Sequence, residues 1–240
     1  MQNAAFAELG LDWRYELLDV PEAELPRALA GLRRPDVAGA NVTIPHKQAA
    51  LQAMDSVDAD ALRARAVNTI VNEGGRLKGM NTDVAAIREA VAELDVKVPG
   101  ATVVVLGAGG AARAAAVALE GAHLTFVVRH PDAADVPGRV VAWFDSDWPA
   151  RVRAADLLVN ATPLGRREEM PLRPNALPEH GAVLDLVYVG GGTPLVRKSR
   201  ALGLRTADGW GILLAQGAAA FTAWTGKPAP LAVMRETLSP

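Results

Sequence analysis

Cysteine is absent from these 240 residues, so the chain can build neither a disulfide framework nor a thiolate nucleophile, as suits a reducing cytoplasm. Histidine is scarce. His46, His123, His130 and His180 are scattered, and none stands at metal-ligand spacing from a carboxylate or another histidine. An excess of one charge is missing too: a net charge of -2 gives no general attraction to nucleic acid or anionic lipid, and no block of like charge forms an interaction tail. No apolar run is long enough to span a bilayer, and "MQNAAFAELG" lacks the basic start and apolar core of a signal peptide. Even lysine is rare, with five against twenty arginines. The expectation is a soluble, cytoplasmic, metal-free protein whose length suits one large domain or two small ones.

The first third alternates short extended runs with helical segments. "YELLDV" (15–20) reads as a strand, and "EAELPRALAGL" (22–32) as a helix interrupted by Pro26. "VAGANVTI" reads as a strand and "PHKQAALQAM" as a helix with proline in its first turn. "AVNTIVNEGGRLKGMNTD" predicts a hairpin turning at Glu73-Gly74-Gly75. A helix from about residue 82 leads to "VPG" at 98–100, a break that reads as a domain boundary. Beyond it, "TVVVL", "HLTFVVR", "RVVAWF", "ADLLVNATP", "AVLDLVY" and "LRTADG" alternate with helical or turn-like segments. Such a pattern predicts an α/β fold with a parallel sheet covered on both faces. "GWGILLAQGAAAFTAWTG" is helical, with Trp210, Leu213, Leu214, Gly217, Phe221 and Trp224 on one face.

Several stretches carry chemistry. "GAGGAAR" (107–113) follows a strand and opens a helix, where glycines admit a pyrophosphate to unpaired N–H groups. Its G-x-G-G-x-x spacing also fits a purely structural strand-to-helix turn. At the tip of the next strand Arg129 stands where an acidic residue would read a ribose hydroxyl. An arginine there meets a 2′-phosphate and favours NADP over NAD, unless it is simply solvated. Asn68, Asn81 and Asp83 lie near the ends of the paired strands, as turn and helix caps or as a polar set for a polyol; Asp83 suits an N-cap or first-turn position. "NATPLG" (160–165) follows a buried strand and would lie over the nucleotide, and Gln216 sits mid-helix, where glutamine is also an ordinary helix former. Lys47 in "NVTIPHK" is a rare lysine, able to trade a proton as arginine cannot, although a lone lysine is most often a solvated one.

In order along the chain, "NVTIPHK", "AVNTIV", "GMNTD", "GAGGAAR", "NATPLG", "DLVY…TPL", "DGWGILLAQG" and "FTAWTG" resemble the shikimate dehydrogenase family. The resemblance implies a two-domain α/β enzyme that interconverts 3-dehydroshikimate and shikimate in chorismate biosynthesis, with NADPH as hydride donor. A discontinuous shikimate-binding domain (1–84 plus 212–240) would join a Rossmann-type NADP domain (85–211). Carried over by motif, Lys47 and Asp83 match the catalytic pair. Thr43, Asn68, Asp83, Tyr188 and Gln216 match substrate-binding positions. Gly107, Ala108, Gly109, Gly110, Ala111, Arg129, Asn160, Thr162, Gly209 and Ile212 match cofactor-binding positions. The implied partner is a small-molecule substrate, with no nucleic acid or membrane, in a monomer or homodimer.

The chain departs from the family pattern in four places. The usual strand and two-serine loop that grip the substrate carboxylate precede the region matching "MQNAAF"; either the start is assigned at an internal methionine, or the protein lacks the segment and its first sheet is short of one strand. "VVRHPDAA" replaces an Asn-Arg-Thr followed by a second arginine, keeping only Arg129. Ala86 stands for a glycine, and Ile212 replaces a methionine of similar volume. Two other readings follow: a quinate/shikimate dehydrogenase preferring NAD, and a catalytically silent nucleotide-binding relative. Lys47 and Asp83 count against the second, because a binding module needs neither.

Overall fold

The computed structural model describes residues 1–238. The chain divides into two compact units, one formed by Met1–Asp83 with the segment from Leu214 onward, the other by Val84–Leu213. Its first part contains α1 (Gln2–Glu8), α2 (Leu25–Gly31), β1 (Gly39–Asn41), α3 (Lys47–Leu51), β2 (Ser56–Val57), α4 (Ala59–Ala64), β3 (Thr69–Glu73), β4 (Arg76–Met80) and α5 (Thr82–Glu93). There follow β5 (Thr102–Leu106), α6 (Gly110–Ala118), β6 (His123–Val128), β7 (Arg139–Ala142), α7 (Trp148–Arg153), β8 (Leu157–Asn160), β9 (Ala182–Asp185), α8 (Pro194–Ala201), β10 (Arg205–Ala207), α9 (Gly209–Thr225) and α10 (Leu231–Glu236). The units divide within α5 and α9, not at Val98-Pro99-Gly100, which is the turn into β5.

In the first unit the sheet order is β1-β3-β4-β2. β3 and β4 form the expected hairpin, pairing Glu73 with Arg76 across Gly74 (φ +64°) and Gly75 (φ +91°). Two consecutive positive φ angles match the right-handed twist of the strands, and glycine adopts them freely. Asn72 Oδ1 accepts Gly75 N at 2.7 Å and fixes the turn. One side of the sheet buries Leu25, Leu29, Ala50, Ala61, Val67, Ile70 and Leu77 against α2, α3 and α4. A second core joins α1, α9 and α10 through Ala5, Phe6, Leu214, Ala218, Phe221 and Met234. Phe6 stacks on Phe221 with centroids 5.4 Å apart, and full burial of one such ring contributes about 1.5–3 kcal/mol. Trp224 Nε1 donates to Ile70 O at 2.9 Å, and a Cβ on Gly39 would stand 2.5 Å from that same nitrogen. Glycine at 39 is what lets the indole reach the strand.

Three local expectations are corrected. Residues 15–20 form no strand: Asn3 takes both backbone groups of Tyr15, donating from Nδ2 to its carbonyl at 3.0 Å and accepting its N–H at 2.7 Å. A strand needs its backbone groups in a ladder, and here a side chain holds them. Leu17 and Leu18 are 91% and 71% exposed. The run at 37–44 is extended in the sheet only over β1, and Pro45 precedes α3, in a turn closed by His46 N to Thr43 O at 2.9 Å. Pro26 does not interrupt a helix: it lies in the first turn of α2, where its missing N–H costs nothing.

The second unit is a six-stranded, all-parallel sheet in the order β10-β9-β8-β5-β6-β7. Every residue of β8 and β9, and all of β5 after Thr102, is buried, as expected of strands covered on both faces. Counted from β5, the order is the 3-2-1-4-5-6 of a Rossmann-type, doubly wound sheet. The chain reverses its direction of winding between β5 and β8. A crevice at the carboxyl ends of those two strands is where such sheets bind ligands. Alanines dominate the inward face of α6, with Ala112, Ala114 and Ala115 fully buried, and such small side chains suit close packing.

Candidate functional site

In the first unit a polar cluster forms around Asp83. Lys47 opens α3, and its carbonyl accepts Val67 N at 2.8 Å, which ties the helix start to the chain entering β3. Asn68 is anchored on both sides, by Asn68 N to Met80 O at 3.0 Å and Val42 N to Asn68 O at 2.8 Å. Asp83 lies in the first turn of α5, where the positive helix end favours a carboxylate. Lys47 Nζ stands 2.7 Å from Asp83 Oδ2, and Asn68 Nδ2 donates to Asp83 Oδ1 at 2.8 Å. Asn68 Oδ1 accepts Thr82 N at 2.8 Å, which fixes the orientation of the amide. Asn68 is 2% exposed, whereas the Lys47 and Asp83 side chains keep 16% and 13% of their surface open. Asp83 takes one of the three ammonium hydrogens of Lys47, and the open face leaves room to serve a ligand.

The other first-unit candidates are placed differently. Asn81 is buried and donates to Ala66 O at 2.9 Å, so it holds the strand ends together. Thr43 is exposed in the turn between β1 and α3. Gln216 is half-buried on α9, next to Gly217, whose carbonyl accepts Gln2 Nε2 at 2.9 Å. Tyr188 belongs to the second unit, 44% exposed, with its ring 5.4 Å from that of Trp210.

In the second unit the glycine turn leaves β5 at Gly107, with φ +104°. A Cβ there would stand 3.2 Å from Ala161 O and 3.3 Å from Thr162 Cγ2, so the turn and the 161–165 loop are in close contact. Gly109 is the N-cap of α6, no side chain caps that helix, and nothing lies within 4 Å of where a Cβ on Gly109 would be. Uncapped N–H groups, a positive dipole end and open space above a glycine suit a pyrophosphate. The residues therefore fit a dinucleotide, whose phosphates Gly107, Ala108, Gly109, Gly110 and Ala111 would hold. Arg129 is exposed just past the end of β6, and Gly209 and Ile212 are buried at the start of α9.

Asn160 ends β8, and its side chain makes four hydrogen bonds. Its Nδ2 donates to Asp185 Oδ1 at 2.9 Å and Leu164 O at 3.0 Å, and its Oδ1 accepts Thr162 N at 3.2 Å and Thr162 Oγ1 at 2.7 Å. Asp185 is fully buried, and burial, more than anything else, pushes its carboxyl up to about 6, with the charge of Asp208 adding to the rise. Hydrogen bonds from Thr193, Val187 and Asn160 pull the other way. Sequence reasoning assigned no role to Asp185 or Thr193. The available signal was an aspartate ending an apolar strand, followed by a Thr-Pro that starts a helix.

A cavity of about 350 Å³ in this unit, lined by Asp95, Lys97, Asp156, His180 and Arg205 among others, lies at the amino ends of the strands, away from the glycine turn. Among the described residues no group of three or more His, Asp or Glu is arranged to hold a metal, and no helix is long and apolar enough to cross a membrane.

Comparison with known proteins adds to this geometry. The profile of the shikimate dehydrogenase substrate binding domain matches residues 1–70, and that of the shikimate 5'-dehydrogenase C-terminal domain matches residues 209–238. A shikimate dehydrogenase (NADP(+)) of Moorella thermoacetica is 44% identical, over 99% of this chain and 86% of its own length. The crystal structure of shikimate 5-dehydrogenase from Thermus thermophilus, in complex with NADP(H) and shikimate, superposes with a TM-score of 0.86 at 38% identity, over 98% of this chain and 91% of that one. A ligand-free 5-ketofructose reductase of a Gluconobacter species superposes with a TM-score of 0.82 at 33% identity, over 99% of this chain and 91% of that one.

Proposed function

The chain belongs to the shikimate dehydrogenase family, and on that premise we propose that it catalyses the NADPH-dependent, reversible reduction of 3-dehydroshikimate to shikimate in chorismate biosynthesis. The observation that carries the proposal is the Lys47–Asp83–Asn68 cluster, with Lys47 held by Asp83 and Asp83 oriented by Asn68. Residues 1–84 and 212–240 bind the substrate, with Thr43, Asn68, Asp83 and Gln216 as its contacts. Residues 85–211 bind the nucleotide through Gly107, Ala108, Gly109, Gly110, Ala111, Arg129, Asn160 and Thr162, with Gly209 and Ile212 beside the nicotinamide. The enzyme works in the cytoplasm as a monomer or homodimer, without nucleic acid or membrane.

When bound, NADPH supplies the hydride that reduces the substrate carbonyl carbon. The oxygen of that carbonyl gains negative charge as it becomes an alkoxide. Lys47 places an ammonium at the oxygen, stabilises the charge and transfers one proton to it, giving the alcohol. The amine that remains regains a proton from solvent. Asp83 keeps the ammonium aimed during this cycle, and Asn68 prevents the carboxylate from turning. In the oxidative direction the neutral amine of Lys47 takes the hydroxyl proton.

The deciding assay follows shikimate-dependent reduction of NADP⁺ at the nicotinamide absorbance, with quinate, 5-ketofructose and NAD⁺ as comparisons. Turnover with shikimate and NADP⁺ above the other pairs is expected. Turnover led by quinate with NAD⁺ would instead make the chain a quinate/shikimate dehydrogenase. A folded chain that binds NADP⁺ and turns over none of these pairs is a silent relative.

A further inference from the structure

Asp185 has no part in the reaction just described, yet it is fully buried at the end of β9 with three donors converging on its carboxylate. The sheet register pairs Asp185 with Asn160, and Asn160 with Leu106, the residue before Gly107. These three residues form one row across β9, β8 and β5 at their carboxyl ends. We propose that Asp185 is a positioning residue for the nucleotide site, holding both ends of the 161–165 loop against the glycine turn, through Asn160 at one end and Thr193 at the other. This inference rests on reading Gly107–Ala111 as the pyrophosphate turn.

An ionised carboxylate accepts hydrogen bonds and donates none, so Asp185 Oδ1 admits only the Nδ2 side of Asn160. That choice turns Asn160 Oδ1 toward Thr162, where it accepts the backbone N–H and the hydroxyl together. The reversed amide would point its NH₂ group at the Thr162 N–H. Thr162 held this way sets its methyl 3.3 Å from the position a Gly107 Cβ would take. At the other end, Thr193 Oγ1 donates to Asp185 Oδ2 at 2.5 Å and accepts Val196 N at 3.1 Å, capping α8. The Cβ and Cγ2 of Thr193 both lie 3.1 Å from where a Cβ on Gly165 would stand, and Gly165 has φ +108°. One buried carboxylate therefore fixes where the loop begins and what its end rests on. An apolar side chain would fill the same space without burying a charge, but it could not orient Asn160.

The test titrates NADP⁺ and, separately, shikimate calorimetrically into the parent chain, Asp185→Ala, Asp185→Asn and Thr193→Val, with circular dichroism to verify folding. Asp185→Ala should weaken NADP⁺ about tenfold or more, as loss of a charge-assisted hydrogen bond does, and leave shikimate within about twofold. Asp185→Asn keeps an oxygen toward Asn160 and should recover most of the affinity. Thr193→Val should lose about threefold for NADP⁺. A folded Asp185→Ala chain that binds NADP⁺ like the parent, or that loses both ligands alike, overturns the assignment. If Asp185→Ala fails to fold, unchanged NADP⁺ affinity in Thr193→Val overturns it, and a selective loss there supports it. A parent chain that binds shikimate but no NADP⁺ would defeat the nucleotide reading itself and take this inference with it.

Discussion

Asn68 donates to one oxygen of Asp83 at 2.8 Å while the other oxygen lies 2.7 Å from Lys47 Nζ. A single amide thus settles which carboxylate oxygen meets the ammonium. The arrangement resembles the orienting member of a catalytic triad, in which a third group fixes the geometry of the second.

Lys47→Arg keeps the positive charge but cannot give up a proton. We expect kcat to fall by about 10² to 10⁴, the usual worth of general acid–base help, while NADP⁺ and shikimate still bind. Calorimetry and steady-state rates on the same preparation check this, and near-parent turnover would remove the acid–base role.

Asp83→Asn is nearly isosteric but sets two donors face to face. Asn68 Nδ2 needs an acceptor, so the new amide would turn its oxygen there and its NH₂ toward Lys47. We expect kcat to drop by about 10² or more, with NADP⁺ affinity unchanged. Loss of NADP⁺ binding instead would mean that the damage reaches beyond the lysine.

Gly107→Ala should add backbone strain of about 1–3 kcal/mol, because φ is +104° and the new methyl meets Ala161 O and Thr162 Cγ2. NADP⁺ affinity should fall about tenfold or more as the turn shifts, with shikimate affinity retained. A thermal melt and a nucleotide titration report the two effects separately.

Arg129→Ala should weaken NADP⁺ and leave NAD⁺ untouched if, as we propose, the arginine exposed just past β6 meets a 2′-phosphate. Equal losses for both nucleotides would assign the arginine to something other than the extra phosphate.

Asp185 makes stability depend on pH. Its carboxyl is raised from 3.8 to about 6 in the fold, so between those values the folded chain holds a proton that the unfolded chain has released. Its contribution is therefore most favourable at low pH and is lost as pH rises through about 6, a change of ~3 kcal/mol for a shift of about two units. Asp185→Asn carries no such titration. Urea unfolding at several pH values should show the variant gaining stability relative to the parent as pH rises from about 4 to 7. A difference that stays flat across that range would mean the carboxyl is not raised.

Much of the second unit was readable because parallel strands buried on both faces give unbroken apolar runs, and "TVVVL", "LLVN" and "AVLD" announce themselves. The first unit was harder. "YELLDV" carries strand-like residues, yet its pairing depends on a neighbour, and Asn3 satisfies Tyr15 instead. Lys47, Asn68 and Asp83 were singled out from motifs, but their hydrogen bonds depend on the turn before α3 and on the start of α5, which no local pattern specifies. Asp185 stayed invisible for a similar reason. Its significance is a register, since Asn160 is 25 positions away and becomes its neighbour only through the ladder.

The contacts of the first unit differ greatly in how much chain they enclose. Lys47 reaches Asp83 across 36 positions and Asn68 reaches it across 15, whereas Trp224 meets Ile70 across 154 and Gln2 meets Gly217 across 215. On a ribosome Lys47, Asn68 and Asp83 emerge ahead of the Val84–Leu213 unit and lie near one another. Phe221, which stacks on Phe6, is made only after the whole of the Val84–Leu213 unit. The growing chain therefore carries the Lys47–Asn68–Asp83 cluster before α9 and α10, which complete the core of its unit, are made. Until then Ala5 and Phe6 of α1 lack the partners that bury them, and loops of this span slow the final closure.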